Sequence, residues 1–360
     1  MTSISTVEAT PNIAVIKYWG KRDEKLILPT NSSLSFTLDN KLKTRTTVIF
    51  SDKFLEDELW INGQKMDLTT NEMSERIEQL NAIRNRAKIK EKAKIASLNC
   101  FPTAAGFASS ASGLAALACA ASKAAGLNLT PTELSILARL GSGSATRSIL
   151  GGFVEWTKGE KPDGSDSFAI QIAPHTHWPE LKDVVVITNS EKKKISSRAG
   201  MKRTIETSTL YSARIKYLSR AIEEIKQTVI NRDFAKFGEI IMKESSNMHS
   251  VMLDTWPPII YLNDKSREII YKIHEINAQY GELIAAYTFD AGPNAHIFTT
   301  KKYEKMIKNE FEVMEGIKQT ITCGIGSGPK HINSGHLIDE TTGKVNKYSH
   351  DEKTNEIIVE

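Results

Sequence analysis

The chain has 360 residues, 40% of them hydrophobic and 25% charged, with a formal net charge of +4. This is the composition of a globular protein built as one large domain or two packed ones, with too mild a charge to call for nucleic acid. Cys100, Cys119 and Cys323 are too scattered for a metal cluster or a disulfide framework, and a reducing compartment is expected. No basic segment leads into an apolar core at the N-terminus and no run nears the roughly 20 apolar residues of a membrane span, so no signal peptide, no membrane partner and a cytoplasmic location are expected.

In chain order, an alternating stretch from residue 4 leads past Pro11 to Asn12-Ile-Ala-Val-Ile16, a buried strand that breaks into Lys17-Tyr18-Trp19-Gly20-Lys21. Lys17 follows directly on four apolar residues, so partial desolvation is expected. Its ammonium then needs an anion, either a ligand or a structural carboxylate. Short strands read at 26–29, 31–38, 44–50 and 58–61, the last closing on an Asn62-Gly63 turn. Ile77, Leu80 and Ile83 share a face in a helix predicted from 71 to about 93, and 94–99 is a strand.

That strand feeds Pro102-Thr-Ala-Ala105-Gly106-Phe107-Ala108-Ser109-Ser110-Ala-Ser112-Gly113, followed at once by strong helix formers. A turn entering a helix aims free N–H groups and the positive dipole end at one point, which suits phosphate. Ser109, Ser110 and Ser112 add hydroxyls; the alternative is a buried Ala-rich helix with a serine N-cap. No Gly-Lys-Ser/Thr follows, so this is not a Walker A loop and the cation must come from elsewhere. Thr130-Pro131-Thr-Glu133 starts another helix. It runs into Gly141-Ser142-Gly143-Ser144-Ala145-Thr146-Arg147-Ser148, whose arginine suits a phosphate or carboxylate ligand or a structural salt bridge.

Strands follow at 154–156, 167–172 and 183–187, with a domain change at 180–190 and a third Ser/Gly loop at 191–201 that carries Ser197 and Arg198. Helices are predicted at 213–229, 233–248 and 266–280, with His249 a satisfied helix-end residue. Two strand-like segments flank Tyr287-Thr-Phe-Asp290-Ala-Gly-Pro-Asn294. Asp290 there either caps its own turn or projects into a cleft. A helix near 301–312, a strand near 319–323, the turn Cys323-Gly-Ile-Gly-Ser-Gly328-Pro329 and a loose polar tail complete the chain.

Three Gly/Ser-rich loops, the cations Lys17, Lys21, Arg147 and Arg198, and one aspartate turn fit an enzyme acting on a small, multiply anionic substrate. No His/Cys cluster suggests zinc, no Gly-x-Ser-x-Gly suggests acyl transfer, and no Gly-x-Gly-x-x-Gly follows the first strand. From about residue 5 to 330, the quoted motifs and Gly200-Met201 resemble the diphosphomevalonate decarboxylase family of the GHMP kinase superfamily. The resemblance implies an α/β (α+β) protein with the two-domain GHMP kinase fold. Residues 1–185 would resemble ribosomal protein S5 domain 2 and carry the phosphate loop, 186–335 would be ferredoxin-like, and 336–360 would be a polar tail. A homodimer is also implied.

The implied reaction is ATP-dependent conversion of (R)-5-diphosphomevalonate to isopentenyl diphosphate, ADP, phosphate and CO₂. Asp290 would lie beside the 3-hydroxyl with Lys17 next to it, and Arg147 would hold the substrate carboxylate. Tyr18, Trp19, Gly20, Lys21, Ser142, Gly143, Ser144, Ala145, Thr146, Ser197 and Arg198 would surround the substrate. Asn99, Ala105, Gly106, Ala108, Ser109 and Ser110 would hold ATP, with Mg²⁺ bridging its phosphates and no metal site of the protein's own. The chain departs from the family at Thr146, where many members carry Cys, and at Phe107, where Leu is usual. Many eukaryotic members also have a diphosphate-contacting arginine where this chain reads Asn71-Glu72-Met73-Ser74, with Arg76 one turn on. Two other reactions therefore stay open. One is ATP-independent decarboxylation of (R)-mevalonate 3,5-bisphosphate to isopentenyl phosphate, without nucleotide or Mg²⁺; the other is an ATP-dependent phosphomevalonate decarboxylase.

Overall fold

The computed structural model describes residues 3–70, 73–101, 109–188 and 195–360. The first half of the chain supplies β1 (Ser3–Ala9), β2 (Asn12–Ile16), β3 (Lys21–Asp23), β4 (Leu28–Pro29), β5 (Ser33–Thr37), β6 (Lys43–Ser51), β7 (Glu58–Ile61), β8 (Gln64–Lys65), β9 (Lys92–Cys100), β10 (Phe153–Trp156) and β11 (Ala169–Ala173), with helices α1 (Ser74–Ala87), α2 (Ser109–Ala124) and α3 (Pro131–Gly141). The second half supplies β12 (Leu181–Thr188), α4 (Ser197–Thr207), α5 (Tyr211–Asn231), α6 (Phe234–Leu253), α7 (Asp264–Tyr280), β13 (Ala285–Phe289), β14 (Ala295–Thr300), α8 (Glu304–Glu312), β15 (Ile317–Cys323), β16 (Lys330–Ile332), β17 (Tyr348–Asp351) and β18 (Glu356–Val359).

These strands form a six-stranded sheet in the order β16-β1-β6-β9-β7-β8 and two four-stranded sheets, β11-β10-β5-β2 and β13-β14-β12-β15, besides the two-stranded pairs β17-β18 and β3-β4. The alanine stripe of α2 packs with Val7, Val48 and Ile95 against the first sheet. A second core centres on Phe36, Phe153, Trp178, Phe237 and Phe298, whose rings meet mostly edge to face. It joins β2 and β5 of the first half to α5, α6, β12 and β14 of the second, so the two halves share apolar surface.

Local signals set several boundaries. Thr130 and Glu133 close a capping box with Pro131 in the first turn of α3. Asn62 and Gly63 both take positive φ between β7 and β8, as the Asn-Gly turn requires. The helix expected to run to residue 93 stops at Ala87, where Lys88 takes the left-handed conformation. The following residues are needed for β9, and the Asp57 carboxylate accepts from the Ala93 N–H. The second Gly/Ser segment is a 3₁₀ helix, Gly143–Ile149, rather than a loop. Part of the third is the start of α4, because the Ser196 hydroxyl accepts from the Ala199 N–H and caps it.

The C-terminal region also differs from expectation. Gly326 donates to the Thr37 carbonyl (2.8 Å) and accepts from the Gly152 N–H (2.9 Å). A Cβ at Gly326 would fall 2.0 Å from the Leu38 carbonyl oxygen, which explains the glycine. The chain then returns to the first sheet, where β16 pairs with β1. The tail is not loose: Leu337 and Ile338 are fully buried, and Tyr348, Ile357 and Val359 pack with them over Ile49, Ala96, Leu98 and Cys100.

Candidate active site

β2 is buried along its whole length, so it delivers Lys17 into the interior, where the residue is 1% exposed. A buried ammonium must be paired. Its Nζ lies 2.7 Å from Oδ1 of Asp290, which follows β13 and whose side chain is 46% exposed. The pair therefore has a buried cation and an open carboxylate. The Lys17 backbone is fixed on both sides: its N–H donates to Glu244 Oε1 (2.9 Å) and its carbonyl accepts from Asn31 Nδ2 (3.1 Å). Glu244 is held in turn by Arg214, with contacts of 2.7 and 3.0 Å, in a fully buried ion pair.

Arg147 sits in the 3₁₀ helix and is 3% exposed. Its Nη1 donates to Ser33 Oγ (2.6 Å) and its Nε to Asn12 Oδ1 (3.3 Å). Asn12 is held by the Ser144 carbonyl and the Ser148 hydroxyl. The structural salt bridge is not formed among the described residues. Burial pushes the guanidinium down to about 10, opposed by the charge of Asp290. Beside it, the Tyr18 hydroxyl is buried without a partner and burial raises it well above its usual value. The Tyr18 ring meets Trp156 edge to face at 4.8 Å. Both rings press on Gly143, where a Cβ would fall within 2.8 Å of them.

Other expected contacts are placed differently. Trp19 is buried in the fold: its Nε1 donates to Thr204 Oγ1 and its ring packs on Gly200 and Tyr261. An indole needs a partner for its N–H as well as an apolar bed, and α4 supplies both. Gly20 is a close-approach site, since a Cβ there would lie 1.8 Å from the Tyr211 hydroxyl. Ala145 joins the core beneath α2, and Thr146 is fully buried with an unpartnered hydroxyl. Ser142 and Ser144 share a hydrogen bond of 3.1 Å. Lys21 is nearly buried, 2.6 Å from Glu24, and desolvation lowers its pKa. Ser197 opens α4, and Arg198 next to it pairs with Glu75 of α1.

Asn99, near the end of β9, accepts from Thr44 Oγ1 through its side chain and donates its backbone N–H to Asn62. With Thr46, Ser97, Arg76, Gly113 and Leu114 it lines a cavity whose wall, among the described residues, carries one cation and no acid. Ser109 and Ser110 open α2. Ser112 offers no donor to that cavity's ligand: it is fully buried and bonded to Thr44 at 2.7 Å. Ala105, Gly106, Phe107 and Ala108 lie outside the described residues. No group of three or more His, Cys, Asp or Glu among the described residues could hold a metal ion.

Several site residues escaped sequence reasoning: Asn31, Ser33, Arg214, Glu244 and Ser245. One signal was available, because Glu244 falls three and four residues after Ile241 and Ile240 on the inward face of α6. His249 is no helix-end residue either. It lies inside α6, its Nε2 is buried without a partner, and burial together with Lys17 pushes its pKa down to about 4.

The diphosphomevalonate decarboxylase-like N-terminal domain family matches residues 9–169, and the mevalonate 5-diphosphate decarboxylase C-terminal domain family matches residues 183–318. The chain belongs to the diphosphomevalonate decarboxylase family. Diphosphomevalonate decarboxylase of Candida albicans is 47% identical over 91% of this chain and 98% of its own length. That of Bos taurus is 45% identical over 82% and 76%. Among solved structures, mevalonate diphosphate decarboxylase from Staphylococcus aureus superposes with a TM-score of 0.86 at 38% identity, covering 92% of this chain and 99% of that one. MDDEF in complex with MVAPP, AMPPCP and magnesium gives 0.86 at 39% identity, covering 93% and 100%. The fold is accordingly the two-domain GHMP kinase fold of this decarboxylase family.

Proposed function

We propose that this protein is a carboxy-lyase of isoprenoid biosynthesis that converts (R)-5-diphosphomevalonate and ATP to isopentenyl diphosphate, ADP, phosphate and CO₂. The observation that carries the proposal is the buried Lys17 ammonium 2.7 Å from the half-exposed Asp290 carboxylate, with the buried cation Arg147 beside them. ATP would supply the phosphoryl group that turns the tertiary 3-hydroxyl into a leaving group. The cavity at Asn99 supports this in part: Gly113 and Leu114 of α2 line it and, among the described residues, it carries Arg76 and no carboxylate, which suits an anionic group. Magnesium would be held chiefly by the phosphates, since Mg²⁺ needs few protein ligands there.

In this scheme Asp290, oriented by Lys17, accepts a hydrogen bond from the 3-hydroxyl, aims it, and takes its proton as the oxygen bonds to the terminal phosphorus of ATP and the bond to ADP breaks. Arg147 replaces its neutral partners with the substrate carboxylate. As phosphate departs with the C–O electron pair, the C–CO₂ bond supplies the electrons of the new double bond. Fixed cations stabilise the charge that develops on the leaving phosphate. Lys21, Ser197 and Arg198 would contact the diphosphate, with Lys21 and Arg198 released from Glu24 and Glu75. A homodimer and a cytoplasmic location accompany this proposal, as does the division at 1–185 and 186–335, shifted to the start of β12 at Leu181 and with β16 returned to the first sheet.

The deciding experiment supplies purified protein with diphosphomevalonate with and without ATP, with 5-phosphomevalonate plus ATP, and with mevalonate 3,5-bisphosphate alone. CO₂ is expected only from diphosphomevalonate plus ATP. Release from the bisphosphate without nucleotide, and none from diphosphomevalonate plus ATP, would overturn it.

A further inference from the structure

Two neighbouring residues of α6, Glu244 and Ser245, hold the backbones from which the Lys17–Asp290 pair projects. Glu244 Oε1 accepts the N–H of Lys17 itself at 2.9 Å. Ser245 Oγ accepts the N–H of Phe289, the residue before Asp290, at 3.0 Å. Neither acceptor is exposed: Glu244 is fully buried and Ser245 is 1% exposed. The two strand ends come from different sheets, β2 from one and β13 from another, and no ladder hydrogen bond joins them. What fixes their separation is therefore a shared third element. The next turn of α6 adds His249, whose ring lies edge-on to Phe289.

We infer that Glu244 and Ser245 are positioning residues, which set the distance between Lys17 and Asp290 by clamping both strand ends to one turn of α6. The inference rests on the proposal that those two side chains act on the substrate. It extends that proposal to why a buried ion pair, Arg214–Glu244, sits behind the site. A buried pair of this kind adds little stability over an apolar replacement. Its use here is geometric: Arg214 holds the Glu244 carboxylate in place, so that it accepts from the Lys17 backbone N–H.

The test separates the clamp from general stability. Replacing both partners, Arg214→Met with Glu244→Met, removes the clamp without leaving an unpaired buried charge. Arg214→Met with Glu244→Gln keeps an amide oxygen for the Lys17 N–H. The first is expected to lose about 10- to 100-fold in kcat, with KM for diphosphomevalonate and ATP within about twofold, because misplacement of about 1 Å at the reacting groups has that effect. The second is expected to recover most of that loss. Ser245→Ala should lower kcat similarly, and hydrogen–deuterium exchange in a peptide covering 286–291 should quicken in Ser245→Ala alone. Equal kcat in the two double variants, or unchanged exchange at 286–291 in Ser245→Ala, would overturn the inference. The exchange measurement needs no turnover, so a wild-type protein inactive in the decarboxylase assay would defeat the proposed function and leave the clamp tested.

Discussion

Replacing Arg147 by methionine separates a ligand-binding cation from a structural one. Burial holds this guanidinium at about 10 against an ordinary 12.5, so folding disfavours its charged form by about 3 kcal/mol. The penalty is complete at every pH below about 10 and disappears only above 12.5, so it is fully present at neutral pH. Removing the guanidinium relieves it but strips a donor from Ser33 Oγ and Asn12 Oδ1, at about 1 kcal/mol each. The net effect is a gain of about 1 kcal/mol. With an unfolding entropy of roughly 0.75 kcal/mol/K for a chain of this length, Tm should rise by about 1–2 °C. Turnover should meanwhile fall by about 30-fold to several thousand-fold, the result of leaving a buried carboxylate without its charged partner. Differential scanning calorimetry with and without diphosphomevalonate, beside steady-state CO₂ release, reads both. A variant that melts more than about 5 °C below wild type, yet is still stabilised by substrate, would show Arg147 to be structural and refute the reasoning.

Three further outcomes are expected. Asp290→Asn keeps an oxygen for Lys17 Nζ but removes the charge; turnover should drop by about 10²- to 10⁴-fold, while thermal melting should fall by about 4–7 °C, because the buried Lys17 ammonium loses its counter-charge. Truncation after residue 335 removes the fully buried Leu337 and Ile338 and uncovers Leu98 and Ile49; urea unfolding should show a loss of at least about 3 kcal/mol. His249 is neutral in the folded protein, its pKa lying near 4 rather than 6.5. Its contribution is complete above about pH 6.5 and is lost as the pH falls towards 4, by at most about 3 kcal/mol. His249→Asn should flatten that part of the urea-midpoint profile relative to wild type.

Local chemistry was legible in the sequence, and distant partnership was not. The break from apolar β2 into Lys17, the cap at Thr130 and the Asn62-Gly63 hairpin each depend on a few adjacent residues. Lys17 and Asp290, by contrast, are 273 residues apart, and the resemblance rather than any periodicity brought them together. Trp19 was expected at the substrate together with its neighbours in the motif. Its indole is buried because Thr204, in a helix whose first residues were read as a loop, offers it an acceptor. The tail was misjudged on composition: residues 336–360 are mostly polar, yet a strand covering a sheet needs apolar residues on one face only, and Tyr348, Ile357 and Val359 supply them.

The buried cations themselves separate structure from chemistry. Four are 3% exposed or less among the described residues: Lys17, Arg139, Arg147 and Arg214. Arg214 has a fully buried carboxylate in Glu244, and Arg139 has the carbonyls of Leu26, Gly164 and Ser167, so both are compensated within the fold. Lys17 is compensated by a carboxylate that opens to the cleft. Arg147 has only a hydroxyl and an amide oxygen as hydrogen-bond partners among the described residues. A desolvated guanidinium left so incompletely matched is costly unless an anion arrives to complete it. The deficit falls at the one buried arginine that shares its electrostatic surroundings with Asp290 and Tyr18. An anionic group bound there would complete the match, which is why Arg147 is the arginine assigned to the substrate carboxylate.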